Sequence, residues 1–225
     1  MTFEVTLTSC NQYFTSMKLK SGEIYHVYNR GNNRQRLFYD KENYYYFLAK
    51  VRQYLAPNCD ILAYCLMPNH FHFLIHANRK TIRLFRKKLS QNENPNNTAI
   101  EMTRFSRGMQ LLLSSYTKGI NKKYSRSGSL FRQNTKSKRT SSELFSEDYS
   151  LQCFIYIHNN PVTAGLVQHP DDWEFSSIRE YMGLRDINSI CNVDLARKLL
   201  SLDRNEIQYL SRQDIPPDII RKIFK

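Results

Sequence analysis

His70 and His72 stand two residues apart in the run Met67-Pro68-Asn69-His70-Phe71-His72. On a β-strand successive side chains point to opposite faces, so His70, His72, Leu74 and His76 share one face while Phe71, Phe73 and Ile75 share the other. Two imidazoles so spaced, with Cβ atoms roughly 7 Å apart, can converge on one cation, and a third ligand must come from another element. Taken alone, the motif reads more plainly as a strand with idle imidazoles. Its surroundings favour chemistry. No Asp or Glu occurs from Ile61 to Asn92, whereas Arg79, Lys80, Arg83, Arg86, Lys87 and Lys88 follow the strand. A cation in a basic setting suits phosphate, because the metal polarises a phosphoryl oxygen while Lys and Arg hold the backbone. His76 lies farther along and reads as a rim residue.

The elements that must position this pair are legible from periodicity. Glu23 to Tyr28 is β-branched and aromatic and predicts a strand, ending at the turn-forming run Asn29-Arg30-Gly31-Asn32-Asn33. In that loop Gly31 would permit tight turning, and Arg30 and Arg34 could fork onto phosphate. Asp40 opens a helix to about Leu55, with Tyr44, Phe47, Leu48 and Val51 at helical spacing and Pro57 beyond its end. Ile61 to Cys65 and Phe71 to His76 predict a hairpin around Met67-Pro68-Asn69. Arg79 to Leu89 reads as a basic helix, and Ser90 to Asn97 as a polar loop. A long helix from Ala99 to Tyr124 places Phe105, Met109, Leu112, Tyr116, Ile120 and Tyr124 on one face. Next come a basic segment, a helix from Leu151 to Asn159, a turn at Asn160-Pro161, and a stretch from Trp173 to Tyr181 closing the same domain. In this reading His158 and Asn159 are helix-end residues and Trp173 is a core anchor. The order implies an α+β fold: an antiparallel, ferredoxin-like (RRM-like) sheet with packed helices. The expected organisation is an N-terminal tail over 1–20, a main domain over 21–182, and a small helical segment over 183–225.

With 225 residues, 41% hydrophobic and 13% aromatic, the chain can bury one good-sized core. A net charge of +13 points to a polyanionic partner. The five cysteines show neither zinc-ligand nor redox spacing. No run approaches the roughly 20 apolar residues of a membrane helix, and the first residues lack a secretory pattern. A cytoplasmic protein acting away from membranes is expected.

Several separated blocks, in order, resemble the single-tyrosine HUH transposases, especially the REP-associated tyrosine transposases. They are Tyr25 to Gln35, Tyr64 to Ile75, Ser115-Tyr116-Thr117 with Asn121-Lys122-Lys123-Tyr124, Gly128 to Phe131, and Tyr156 to Val167. The resemblance spans roughly residues 22 to 182. It implies the HUH endonuclease fold and single-stranded or hairpin DNA as partner; for the divalent metal of His70 and His72, ligand type admits Mn²⁺, Zn²⁺ or Ni²⁺, while availability and phosphoryl chemistry favour Mg²⁺ or Mn²⁺. It also implies a tyrosine that forms a 5′-phosphotyrosine link. Tyr116 is the expected nucleophile, with Tyr124 second, although spacing alone would assign Tyr116 to the core. Asn121 is the expected third ligand, even though five residues at about 100° each put it roughly 140° around the helix from Tyr116. Arg30 and Arg34 in the glycine loop, and Lys122, Lys123, Arg126, Arg132 and Lys136 in the region from Met102 to Ser142, which has no acidic residue, are the expected DNA contacts. The C-terminal segment fits either hairpin binding or homodimer contacts. A non-catalytic binder of structured nucleic acid is the alternative function, and a replication-initiation or relaxase-like nickase is the third.

Overall fold

The structure is a computed structural model and describes residues 17–87, 100–141, 148–184, 189–203, 207–210 and 221. Its first strand, β1 (Ile24–Arg30), leads through a 3-10 turn (Asn32–Arg34) to α1 (Lys41–Tyr54). The side chain of Asp40 accepts a hydrogen bond from Asn43 N at 2.9 Å and fixes the helix start, as expected for an acidic N-cap. β2 (Asp60–Met67) and β3 (His70–His76) form the predicted hairpin.

Beyond the hairpin the chain departs from expectation. The basic helix is one turn, α2 (Arg79–Ile82), closed by a capping box in which Asn78 accepts from the Lys80 and Thr81 amides. Arg83 then turns extended, and β4 (Leu84–Lys87) pairs with β5 (Ile100–Thr103) in a separate two-stranded ribbon. The ribbon takes the residues that periodicity assigned to two helix ends, because cross-strand pairing satisfies their backbone and Thr103 caps α3 (Arg104–Lys123). The predicted loop at Ser90 to Asn97 lies outside the described residues.

β6 (Lys136–Arg139) completes a four-stranded antiparallel sheet in the order β2-β3-β1-β6. α4 (Asp148–Thr163) runs a turn past the predicted stop, with Pro161 inside its last turn. The helix gives way at Gly165, whose φ of +66° is the left-handed conformation that terminates helices. The stretch from Trp173 to Tyr181 holds a one-turn α5 (Ile178–Tyr181), and α6 (Val193–Leu200) and α7 (Ile207–Leu210) follow.

The sheet separates two cores. On one side Tyr25, Val27, Phe71, Phe73 and Ile75 pack with α1 and α3 residues including Phe47, Val51, Phe105, Met109, Leu112 and Tyr116. Met17 and Leu19, at the end of the expected tail, are buried in that same core. On the other side Ile24, Ala63, Cys65, Met67 and Leu74 pack with Cys153, Phe154, Ile157, Ile178 and Tyr181. Ala196, Leu200, Leu202 and Ile207 join this second core, so the segment after residue 182 packs on the main domain.

Candidate nucleic-acid cleavage site

Strand parity puts the histidines on the second face. In the ladder Cys65 lies opposite His72, His72 opposite Tyr28, and Tyr28 opposite Lys136, while Met67, His70 and Arg30 form the neighbouring row. His72 is 2% exposed, and its Nδ1 lies 2.8 Å from Nε2 of the fully buried His26. His70 is half-buried with Nδ1 2.6 Å from the side-chain oxygen of Asn69. Both imidazoles are held below the ordinary histidine range. Burial is the main cause for each; at His72 the neighbouring His26 and His70 add to it, and at His70 a hydrogen bond to Asn160 opposes it. Neutral imidazoles are the form that binds metal.

The helix covering this face is α4, not α3. His158, on the side of α4 away from the imidazoles, fastens it: Nε2 meets Ser177 Oγ at 2.8 Å, and that hydroxyl also accepts from the Tyr64 amide at 2.8 Å. Tyr156 and Asn160, four residues apart, share one helix face. The Tyr156 ring stands edge-on to His72 at 5.7 Å and to His26 at 6.3 Å. Asn160 donates through Nδ2 to the Tyr156 carbonyl at 2.9 Å, which orients its side-chain oxygen, and Tyr156 Oη lies 3.4 Å from that oxygen. Burial raises the Tyr156 phenol well above its usual range, so it carries its proton at neutral pH.

Among the described residues no group of three His, Cys, Asp or Glu could hold a metal ion. The hard donor beside the imidazole pair is the side-chain oxygen of Asn160. His70, His72 and Asn160 offer two nitrogens and one hard oxygen, a set that fits a divalent cation; Asn160 hydrogen-bonds His70, and the His70 and His72 ring centroids lie 4.9 Å apart.

Two expected site residues lie elsewhere. Tyr116 is fully buried in the first core, beyond the sheet from His72; its hydroxyl donates to Leu37 O at 2.7 Å, and its ring packs on Phe38, Phe47 and Phe131. Asn121, also on α3, donates to Gly128 O at 2.9 Å. Neither reaches the histidines, because α3 packs on the Phe71 and Phe73 face. Tyr124, the second candidate, donates to Asp40 at 2.6 Å beside the start of α1.

A cleft of about 500 Å³ opens over the histidines, lined by Tyr28, His70, His72 and Tyr156 together with Arg30, Arg34, Arg132 and Lys136. The four basic residues are exposed and the two histidines lie deeper, so positive charge rims the imidazoles. Backbone pairing gathers that rim: Arg132 N donates to Arg30 O at 2.9 Å, and buried Asn29 donates to Arg132 O and Thr135 Oγ1. Gly31 has an ordinary φ of −60°, contrary to a role in reversing the chain; it is needed because a Cβ there would come within 2.2 Å of Gln35 O. Lys123 instead pairs with Asp40 and Glu42, both at 2.9 Å, and Arg126 donates to Gln35. His76 meets Asp60 at 3.2 Å.

Tyr156 and Asn160 were missed as site residues, although their spacing of four on one helix was the available signal. Fifteen tyrosines dilute it, and the sequence does not say which helix covers which face.

Residues 20–95 match the family model described as Transposase IS200 like, a segment that carries β1, α1 and the His70–His72 hairpin and ends before α3 and α4. None of the curated proteins matches the sequence. Among solved structures, a REP-associated tyrosine transposase bound to a REP hairpin aligns over 79% of this chain and 88% of that one, with 17% identity and a TM-score of 0.50. The α+β, HUH-type fold expected from the sequence is thus shared with that protein.

Proposed function

We propose, with the IS200-like transposase match as premise, that this chain is a transposase that cleaves and rejoins single-stranded DNA beside a hairpin, with Tyr156 as nucleophile. The observation that carries this reading is the placement of a phenol, two imidazoles and an amide oxygen on one face under a basic rim. His70, His72 and Asn160 would hold Mg²⁺ or Mn²⁺. When bound, the cation supplies Lewis-acid polarisation of a phosphoryl oxygen and draws the scissile phosphate toward the phenol.

Arg30, Arg34, Arg132 and Lys136 bind the flanking phosphates and set the register of the strand. The Tyr156 oxygen forms a bond to phosphorus and the P–O3′ bond breaks. The phenol proton passes to solvent, and the departing 3′ oxygen takes one up. The products are a 5′-phosphotyrosine and a 3′ hydroxyl, and the reverse reaction at a new 3′ end rejoins DNA. The proposed setting is the cytoplasm; among the described residues no helix is long and apolar enough to cross a membrane.

The test uses labelled single-stranded hairpin DNA with Mn²⁺ and scores an adduct that survives denaturation. Tyr156→Phe should abolish the adduct and Tyr116→Phe should retain it. An adduct formed by Tyr156→Phe, or lost only with Tyr116→Phe, would overturn the assignment.

A further inference from the structure

His26 is a fully buried imidazole in the middle of β1, opposite Leu74 in the ladder and on the same face as His72. A leucine would fill that place without the cost of burying polar nitrogens. Its ring is held on two sides, stacked on Tyr28 with centroids 4.7 Å apart and edge-on to Tyr156 at 6.3 Å. From this position its Nε2 meets His72 Nδ1 at 2.8 Å.

One proton is shared across that contact, and its two placements have opposite consequences. If His26 donates, His72 carries its own proton on Nε2 and has no lone pair there for a cation. If His72 donates from Nδ1, the Nε2 lone pair is available, and Nδ1 is already engaged and cannot be the ligating atom. We propose that His26 is a positioning residue that accepts the Nδ1 proton of His72 through its own Nε2, locking His72 in the tautomer and ring orientation that bind a divalent cation. A partner of this kind makes a ligating imidazole more basic, and its loss commonly weakens metal binding by about 10–100-fold. The inference rests on His72 being a cation ligand, as proposed above.

Two measurements test it. In the metal-free full chain, ¹⁵N correlation spectra of the histidine rings should show His72 protonated on Nδ1 and bare on Nε2; a protonated Nε2 overturns the proposal. Mn²⁺ titrations, read by electron paramagnetic resonance, should give roughly 10–100-fold weaker binding for His26→Leu and near-native binding for His26→Gln, whose amide oxygen can accept the same proton. Circular dichroism confirms that each variant is folded. Equal affinity of native protein and His26→Leu overturns the positioning role while leaving the ligand assignment standing. Absence of Mn²⁺ binding by the native protein overturns both.

Discussion

Asn160 and Asn121 offer the same chemical group from different helices, and substitution separates them. Asn160→Asp should tighten Mn²⁺ binding, roughly tenfold, because a carboxylate adds charge to a hard oxygen ligand, whereas Asn121→Asp should leave it unchanged; calorimetric titration checks both. Two residues before Asn160, burial pushes His158 down to about 3. Its folded pKa lies below the unfolded value near 6.5, so the unfolded chain binds the extra proton and stability falls as pH drops from 6.5 toward 3, by up to about 1.4 kcal/mol per unit. Thermal melts should show that decline, and His158→Gln should flatten it. At this scale the sequence exposed the His70 and His72 pair, because an alternation of two is a local property. It did not expose the placement of Tyr156 beside them, since that depends on which helix covers the face.

Helices α1 and α3 cross closely at Gly108, where a Cβ would come within 2.3 Å of Tyr54 O. An alanine within a helix ordinarily stabilises by about 1 kcal/mol relative to glycine. Here the contact is with backbone, so Gly108→Ala should instead destabilise, by about 1–3 kcal/mol in urea unfolding, while adduct formation by the folded fraction persists. Tyr116 belongs to this α1–α3 side, across the sheet from the histidines. The apolar stripe of α3, with Phe105, Met109, Leu112 and Tyr116 in register, correctly marks a helix packed on the sheet, yet a stripe does not say which side of the sheet it meets. The histidine side is covered by α4, anchored through His158, Ser177 and Tyr64, contacts separated by up to 113 residues in sequence. Elements with local signatures, β1, α1 and the hairpin, were found within a few residues, whereas the β4–β5 ribbon depends on pairing across the chain.

The molecule as a whole concentrates its basic rim on one mouth. Single-stranded DNA binding should weaken with salt, with the slope falling by about 0.7 for each phosphate contact removed. Lys136→Ala and Arg132→Ala should each lower it by that amount, and Lys123→Ala, in an ion-paired position on α3, should leave it nearly unchanged; fluorescence anisotropy over a salt series decides. The sheet beneath is one residue thick, and β3 is anchored on both sides, by β2 and by β1. Inserting or deleting one residue within His70–His76 would turn part of the strand over, sending phenyl rings under α4 and imidazoles among the aromatics of α1 and α3. A chain that keeps this pair under α4 can therefore tolerate exchanges of individual letters in that strand but not a change in its length.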